Sequence, residues 1–372
     1  MQSTQRLGAG ATISVGAAAV LLVLLLILHT SPVKRHDDHG DFCDTGEYRK
    51  NVLKLVKEAP FAGLFADLKN HTKFEASGVA FDPRTSTFLS VFDSSMSVGR
   101  IDETLQFRGP SNVLIGEQGP ESQFEGISLF DEGKNQLLLL AESIPKDGTY
   151  YPEVTLAALT EGRSDSYEVL ERCVIDFPLS HENKGFESII YLPETGTLLG
   201  LCEGNHCVGG NKGRERGHGR IVVSKRATRA DGECTWEVID TIAVPSLAAF
   251  QDYSAMAYHR DMKKLAILSQ EDAAVALLDF DLDTLRFADD AEAGGVVWHL
   301  PRDANCDVVY CNAEGIAWLD EYRVLIVSDK AKSKQDVACV RHDQSAAIFV
   351  VPSGFDPYDP YPILHEESRI SS

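Results

Sequence analysis

Five short blocks of one pattern recur along the chain, and that recurrence limits the fold more than any single residue does. Each opens on a small or acidic residue, runs through an apolar stretch, turns, and ends a second apolar stretch on an acid or an amide. They run from Ser77-Gly-Val-Ala-Phe to Asp93, Glu125-Gly-Ile-Ser-Leu to Glu142, Glu187-Ser-Ile-Ile-Tyr to Glu203, Ser254-Ala-Met-Ala-Tyr to Gln270 and Glu314-Gly-Ile-Ala-Trp to Asp329. The first and last residues of the blocks lie 16, 17, 16, 16 and 15 positions apart, whereas the blocks begin 48, 62, 67 and 60 residues apart. A fixed small unit at a loose large period is the mark of a propeller or solenoid.

Each unit is too short and too β-branched for a helix pair. Turn residues such as Asp82-Pro83-Arg84-Thr85 and Pro193-Glu194-Thr195-Gly196 separate its two runs, which makes it a hairpin. Further strand-like runs follow, for example Val154 to Leu159 and Val169 to Phe177. Two added strands per repeat make a four-stranded blade, so the expected fold is all-β, a five-bladed β-propeller, with six blades as the alternative. Closing the ring requires the chain ends to share a blade, since an open edge invites foreign pairing. The run Ala346 to Val351, with a second run near Ile363, is expected to gain its missing strand from Tyr48 to Val56, within residues 43–70.

Residues 8–28 carry no charge, and Val20 to Leu28 is aliphatic throughout; about 20 apolar residues suffice to cross a bilayer. This predicts a cytoplasmic tip and transmembrane signal-anchor over 1–30, a stalk over 31–42 containing the solvated tract His36 to Asp41, and a propeller domain over 43–372. A cleaved signal peptide is the alternative. All eight cysteines lie downstream, an even set in an export context. The expected pairs are the local Cys202–Cys207 and Cys306–Cys311, a ring-closing Cys43–Cys339, and Cys173–Cys234 between adjacent blades; a thiol metal site using His206 is the other reading. Asn70-His-Thr72 is a glycosylation sequon. Together these describe a single-pass type II membrane protein whose propeller is luminal or extracellular.

The net charge of −21, from 56 acidic and 35 basic residues, argues against nucleic acid as a partner and fits a cation-binding surface. In a propeller the start of each first strand and the end of each second strand share one face. Ser77, Glu125, Glu187, Ser254 and Glu314 then form one ring, with Asp93, Glu142, Glu203, Gln270 and Asp329 beside it. The seven carboxylates, Glu125, Glu187, Glu314, Asp93, Glu142, Glu203 and Asp329, cannot all stay ionised without raised pKa values or a shared cation. Oxygen ligands in this number favour Ca²⁺; the alternative is that the acids and serines cap strand ends. Bases follow the same strand ends, among them Arg100, Lys146, Lys330, Lys332 and Lys334, and the glycine-rich segment 204–220 brings Arg214 and Arg216. Lys146, Arg214, Arg216 and Lys330 are the candidates for holding an anionic substrate beside the metal. No Gly-x-Ser-x-Gly elbow or P-loop occurs.

Glu125-Gly-Ile-Ser, Phe186-Glu-Ser-Ile-Ile-Tyr-Leu-Pro with Leu-Leu-Gly-Leu-Cys-Glu203-Gly, and Ala313-Glu-Gly-Ile-Ala-Trp resemble the repeat of the phytase-like (esterase-like) and SdiA-regulated β-propeller domains. The resemblance spans residues 70–352 and implies the propeller fold; the Ser254 to Gln270 block departs from the acidic pattern and leaves one side of the ring uncharged. A type II anchor before five blades also resembles the calcium-activated nucleotidases in architecture. The expected function is that of a membrane-anchored, extracytoplasmic Ca²⁺-binding propeller, a metal-dependent phosphoesterase acting on an anionic small molecule. The alternatives are a nucleotidase-like hydrolase and a non-catalytic module that binds a protein or glycan.

Overall fold

The computed structural model describes residues 42–66, 73–116, 122–160, 166–182, 184–230, 232–288 and 294–352. The expected anchor over 8–28, the stalk, Asn70 and the run near Ile363 lie outside these residues. No helix among the described residues is long and apolar enough to cross a membrane.

Strand β1 (Lys54–Pro60) comes first and pairs last. The chain then builds a meander of β2 (Ala76–Asp82), β3 (Thr87–Phe92), β4 (Ser95–Asp102) and β5 (Val113–Ile115). A second meander holds β6 (Phe124–Asp131), β7 (Gln136–Lys146), β8 (Thr149–Leu159) and β9 (Tyr167–Ile175). A third holds β10 (Phe186–Leu192), β11 (Thr197–Cys202), β12 (Arg220–Thr228) and β13 (Cys234–Ala243). Their outer strands touch through a short parallel pairing of Thr235 and Trp236 with Val174 and Ile175. Next come β14 (Ala255–His259), β15 (Lys264–Ser269) and β16 (Ala274–Asp281), to which both β17 (Arg286–Phe287) and β18 (Val296–His299) pair. Finally β19 (Ala313–Trp318), β20 (Arg323–Ser328) and β21 (Ser345–Val350) are completed by β1, which runs antiparallel to β21 from Lys54 opposite Val350 to Pro60 opposite Ser345. The closing strand therefore sits a few residues later than the expected Tyr48 to Val56.

The leading strands of the five meanders contact one another in a closed circuit: β2 meets β6, β6 meets β10, β10 meets β14, β14 meets β19, and β19 returns to β2. The apolar residues bury between neighbouring meanders rather than in one centre. One cluster joins β3 and β4 to β6–β8, another β7–β9 to β10–β13, and the next three continue the series to the contact of β19–β21 with β2, β3 and β4. A ring of sheets with its cores in the gaps is a β-propeller.

The small second residue of each block has its cause here. A Cβ on Gly315 would lie 2.6 Å from Val327 Cγ2 and 3.2 Å from the backbone of Gly78, and one on Gly78 would lie 2.9 Å from the Glu125 carbonyl oxygen. The inner strands converge so closely that only glycine, or Ser188 and Ala255 at the equivalent positions, leaves room. Closure is reinforced by helix α2 (Phe61–Leu64), directly after β1. Phe61 and Phe65 pack with Phe74 at centroid distances of 5.6 and 5.8 Å, and Phe92 meets Phe61 edge-on at 5.3 Å. Such pairs add about 0.5–1.5 kcal/mol each beyond burial.

All eight cysteines are bridged, as Cys43–Cys306, Cys173–Cys234, Cys202–Cys207 and Cys311–Cys339. The expected Cys43–Cys339 and Cys306–Cys311 pairs are thus exchanged. The reason is the seat of helix α1 (Gly46–Lys50), whose Tyr48 packs on His299 at 5.8 Å beside the preceding Phe42 at 5.1 Å, with the Arg302 guanidinium over Phe42 and the Arg302 N–H donating to the Tyr48 hydroxyl. This holds Cys43 beside Cys306, while Cys311 turns toward the 3₁₀ segment Val337–Arg341 that carries Cys339.

Candidate functional site

At one mouth of the channel the backbone aims the acids. Ser77, Glu125, Glu187 and Glu314 each fall where the pairing of first and second strands slips, between Ala76 and Gly78, Phe124 and Gly126, Phe186 and Ser188, and Ala313 and Gly315. A bulge of this kind re-aims a side chain out of the strand's alternation. The second ring is fixed by a repeated hydrogen bond. The Asp93 N–H donates to Glu75 O at 2.8 Å, Glu142 to Gln123 O at 3.2 Å, Glu203 to Gly185 O at 3.1 Å and Asp329 to Asn312 O at 2.8 Å. Each acceptor lies two residues before the first-ring position, so both rings are set from one local geometry.

The seven acids form one electrostatic cluster. Burial, followed by the charges of Asp93, Glu142, Glu314 and Asp329, raises the pKa of Glu125 well above the carboxylate range. Glu187 is raised in the same way by burial and then by Glu125, Glu203 and Glu142. Glu314 is pushed up to about 8 by burial and Asp329, and Asp329 to about 7, chiefly by burial. Glu142 is also raised to about 7 by burial, although it accepts the Gly185 N–H at 2.9 Å. Donor oxygens of Glu142, Glu187 and Glu203 lie within 4.8 Å of one another.

The serines of the first ring serve the backbone instead: Ser77 donates to Phe124 O, and Ser254 to Ala313 O at 2.7 Å. In the Ser254 block, which closes on Gln270, the acid comes from elsewhere. Asp252, two residues before Ser254, is raised to about 6 by burial; it accepts the Ser269 hydroxyl at 2.5 Å and the Glu271 N–H at 3.2 Å. The side of the mouth expected to be uncharged therefore carries a carboxyl, offset from the repeat register.

A cavity of about 260 Å³ opens at this mouth, lined among others by Lys184, Glu203, Arg214, Asp252, Glu271 and Lys332. The Lys184 ammonium sits 2.5 and 2.6 Å from the two Glu203 oxygens. Burial works against its charge, but Glu203, Glu187 and Glu142 outweigh burial and its pKa is raised. Of the expected anion-binding bases, Arg214 lines this cavity. Arg216 is paired with Asp272 at 2.7 Å, Lys146 with Glu233 at 3.1 Å, and Lys330 is exposed beside Asp329, whose carboxylate accepts its backbone N–H. Arg100 lies near Asp82, at the far end of its meander. Lys184 and Lys332, the latter offsetting the charges at Glu314 and Asp329, join Arg214 as cations at the mouth. Lys332 was one of several bases after Asp329, whereas Lys184 precedes its block and follows no strand end.

The opposite mouth is different in character. A chamber of about 760 Å³ is walled by the far ends of all five leading strands, with the rings of Phe81, Phe130, Tyr191, Tyr258 and Trp318 around it. Trp318 Nε1 donates to Ala257 O at 3.2 Å and the Tyr258 hydroxyl to Phe280 O at 3.2 Å, which fixes both rings.

No protein family and no curated protein matches the chain. Solved structures similar to it include the PQQ-bound aldose sugar dehydrogenase from Streptomyces coelicolor, at 11% identity over 79% of this chain and 98% of that one with a TM-score of 0.44. The soluble aldose sugar dehydrogenase from Escherichia coli in its apo form is similar at 12% identity, 81% and 99% coverage and a TM-score of 0.42. The Myceliophteria thermophila Cps50 (Swd1) β-propeller domain is similar at 9% identity, 80% and 99% coverage and a TM-score of 0.38. These neighbours are β-propeller proteins; they bear on no residue of the mouth.

Proposed function

We propose that this chain is a five-bladed propeller of the phytase-like type, each meander counting as one blade, and that its acidic mouth binds Ca²⁺ and hydrolyses a phosphate ester outside the cytoplasm, behind a retained anchor. The observation that supports this best is the convergence of Glu142, Glu187 and Glu203 to within 4.8 Å, inside a larger set of carboxylates with raised pKa values. An all-oxygen donor set of this density suits a hard cation. Bound there, calcium would supply Lewis acidity and an activated water. Lys184, Arg214 and Lys332 would neutralise the phosphoryl oxygens in the adjoining cavity, and Asp252, near half-ionised at about pH 6, is placed to exchange a proton. Purified protein should release phosphate from p-nitrophenyl phosphate or a nucleoside diphosphate, lose that activity in chelator, and lose both activity and the calcium-induced rise in melting temperature in the Glu125→Gln/Glu187→Gln/Glu314→Gln variant. A calcium response without turnover would favour a recognition module, whose ligand the aromatic chamber at the other mouth could accept; no calcium response at all would end the metal reading.

A further inference from the structure

We propose that His206, Glu215 and His218 form a second metal site, for a borderline transition ion such as Zn²⁺, and that the bound ion clips the glycine-rich segment 204–220 over the acidic mouth. The donor atoms of these three side chains lie within 4.8 Å of one another. His206 Nε2 is 3.2 Å from Glu215 Oε2, and the two imidazoles stack with centroids 4.0 Å apart and 22° between planes. Ligands about 2.1 Å from zinc at tetrahedral angles stand about 3.4 Å apart, so the pair is already near its liganded separation. Two imidazoles with one carboxylate suit zinc, copper or nickel and suit calcium poorly, which separates this site chemically from the all-oxygen mouth. No thiol competes, because all eight cysteines are bridged.

The histidines are placed by a buried scaffold. Asn205, fully buried, donates through Nδ2 to the carbonyls of Gly213, Phe250 and Gln251 and accepts the His218 N–H at 2.9 Å. The His206 N–H donates in turn to His218 O at 2.9 Å. His206 holds a left-handed backbone, φ 59°, between Asn205 and the bridged Cys207, a conformation that persists where its surroundings over-determine it. The backbones that carry both imidazoles are therefore fixed before any ion arrives, so that only turning of the stacked rings toward a shared ion remains to oppose binding. The same segment forms the cavity wall: Gly204, Val208, Gly209, Gly210, Gly213 and Arg214 all line it. An ion joining His206 to Glu215 and His218 would fasten both ends of that wall and hold Arg214 at the cavity. The site stands whether or not the mouth binds calcium.

The test uses the full chain, stripped with chelator and titrated with ZnCl₂ by calorimetry in excess Ca²⁺. Because His36 and His39 can also take zinc, the reading is the difference from His218→Ala and from His206→Asn, the latter chosen because asparagine tolerates the left-handed backbone. One tight zinc equivalent should disappear in either variant, its affinity falling by about 100-fold or more, and Glu215→Gln should weaken it by about tenfold. Metal-free melting curves should be unchanged. Cobalt should give a visible absorption band in wild type that both histidine variants lose, and zinc should slow tryptic cleavage after Lys212, Arg214 and Arg216 in wild type alone. Zinc stoichiometry and affinity equal in wild type and variants would overturn the site. Specific binding without protection of the segment would overturn the clip.

Discussion

Changing Glu314 to Gln should stabilise the calcium-free protein at alkaline pH and leave it almost unchanged near pH 5. The Glu314 carboxyl is raised from 4.5 to about 8 by burial and then by Asp329. The folded state therefore holds this proton more tightly than the unfolded chain. The resulting penalty is absent below about pH 4.5, grows as pH rises, and is complete above about pH 8. At about 1.36 kcal/mol per pH unit the interval bounds the penalty at about 5 kcal/mol. Water in the mouth screens the charge, so about 2 kcal/mol is the expected effect, or about 4 °C in melting temperature. Asp329 and Glu142, each raised to about 7, act in the same sense, while His259, lowered by burial, acts in the opposite one; both are common to wild type and variant and largely cancel in the difference. Calorimetric scans in chelator from about pH 5.5 to about pH 8.5 should show the variant's advantage opening with pH. Saturating calcium should reverse it, since an ion at one hundred times its dissociation constant adds about 2.7 kcal/mol to the wild type. Melting temperatures that run parallel across the range in chelator would refute the charge-crowding account.

Lys184→Met should lower calcium-free stability at pH 8 by about 1 kcal/mol, by leaving Glu203 among like charges, and should tighten calcium binding about tenfold in a calorimetric titration, since the ammonium competes with the cation; weaker calcium binding would contradict this. Replacing Cys43 and Cys306 by Ser should cost about 5–6 kcal/mol, against about 2 kcal/mol for Cys202 and Cys207, because the first bridge closes a separation of 263 residues and the second one of 5. Non-reducing peptide maps of the first variant should still contain Cys311–Cys339. Gly315→Ala should cost about 2–3 kcal/mol in urea unfolding through contact with Val327 and Gly78, whereas Gly196→Ala, left-handed in open space, should cost about 1 kcal/mol.

The propeller was legible because the hairpin recurs with a nearly constant internal length, and that constancy follows from the strand span between bulge and turn. The seven mouth acids were legible for the same reason, since they sit at fixed register positions. Asp252 and Lys184 escaped because they lie outside that register, two residues before Ser254 and three before Glu187; their roles depend on how neighbouring meanders abut, which no local pattern encodes. The cysteine pairing was misread where short spacing suggested a local bridge. The decisive contact, Phe42 and Tyr48 upon His299, joins residues more than two hundred positions apart and leaves no periodic trace.

The closing strand also sets a timetable. β1 is among the first parts of the domain to leave the ribosome, yet its partner β21 is among the last. Synthesis across the separation of 263 positions from Cys43 to Cys306 alone takes about 13–50 s at about 5–20 residues per second. Throughout that wait Lys54 to Pro60 has no strand to pair with, and β19 and β2 cannot meet. The early meanders can form in sequence, but the circle is sealed only once Ser345 to Val350 has been made. A nascent chain stalled before Ser345 would thus present an unpaired edge to its neighbours, which makes the interval before β21 emerges the one in which this domain is most exposed to misassembly.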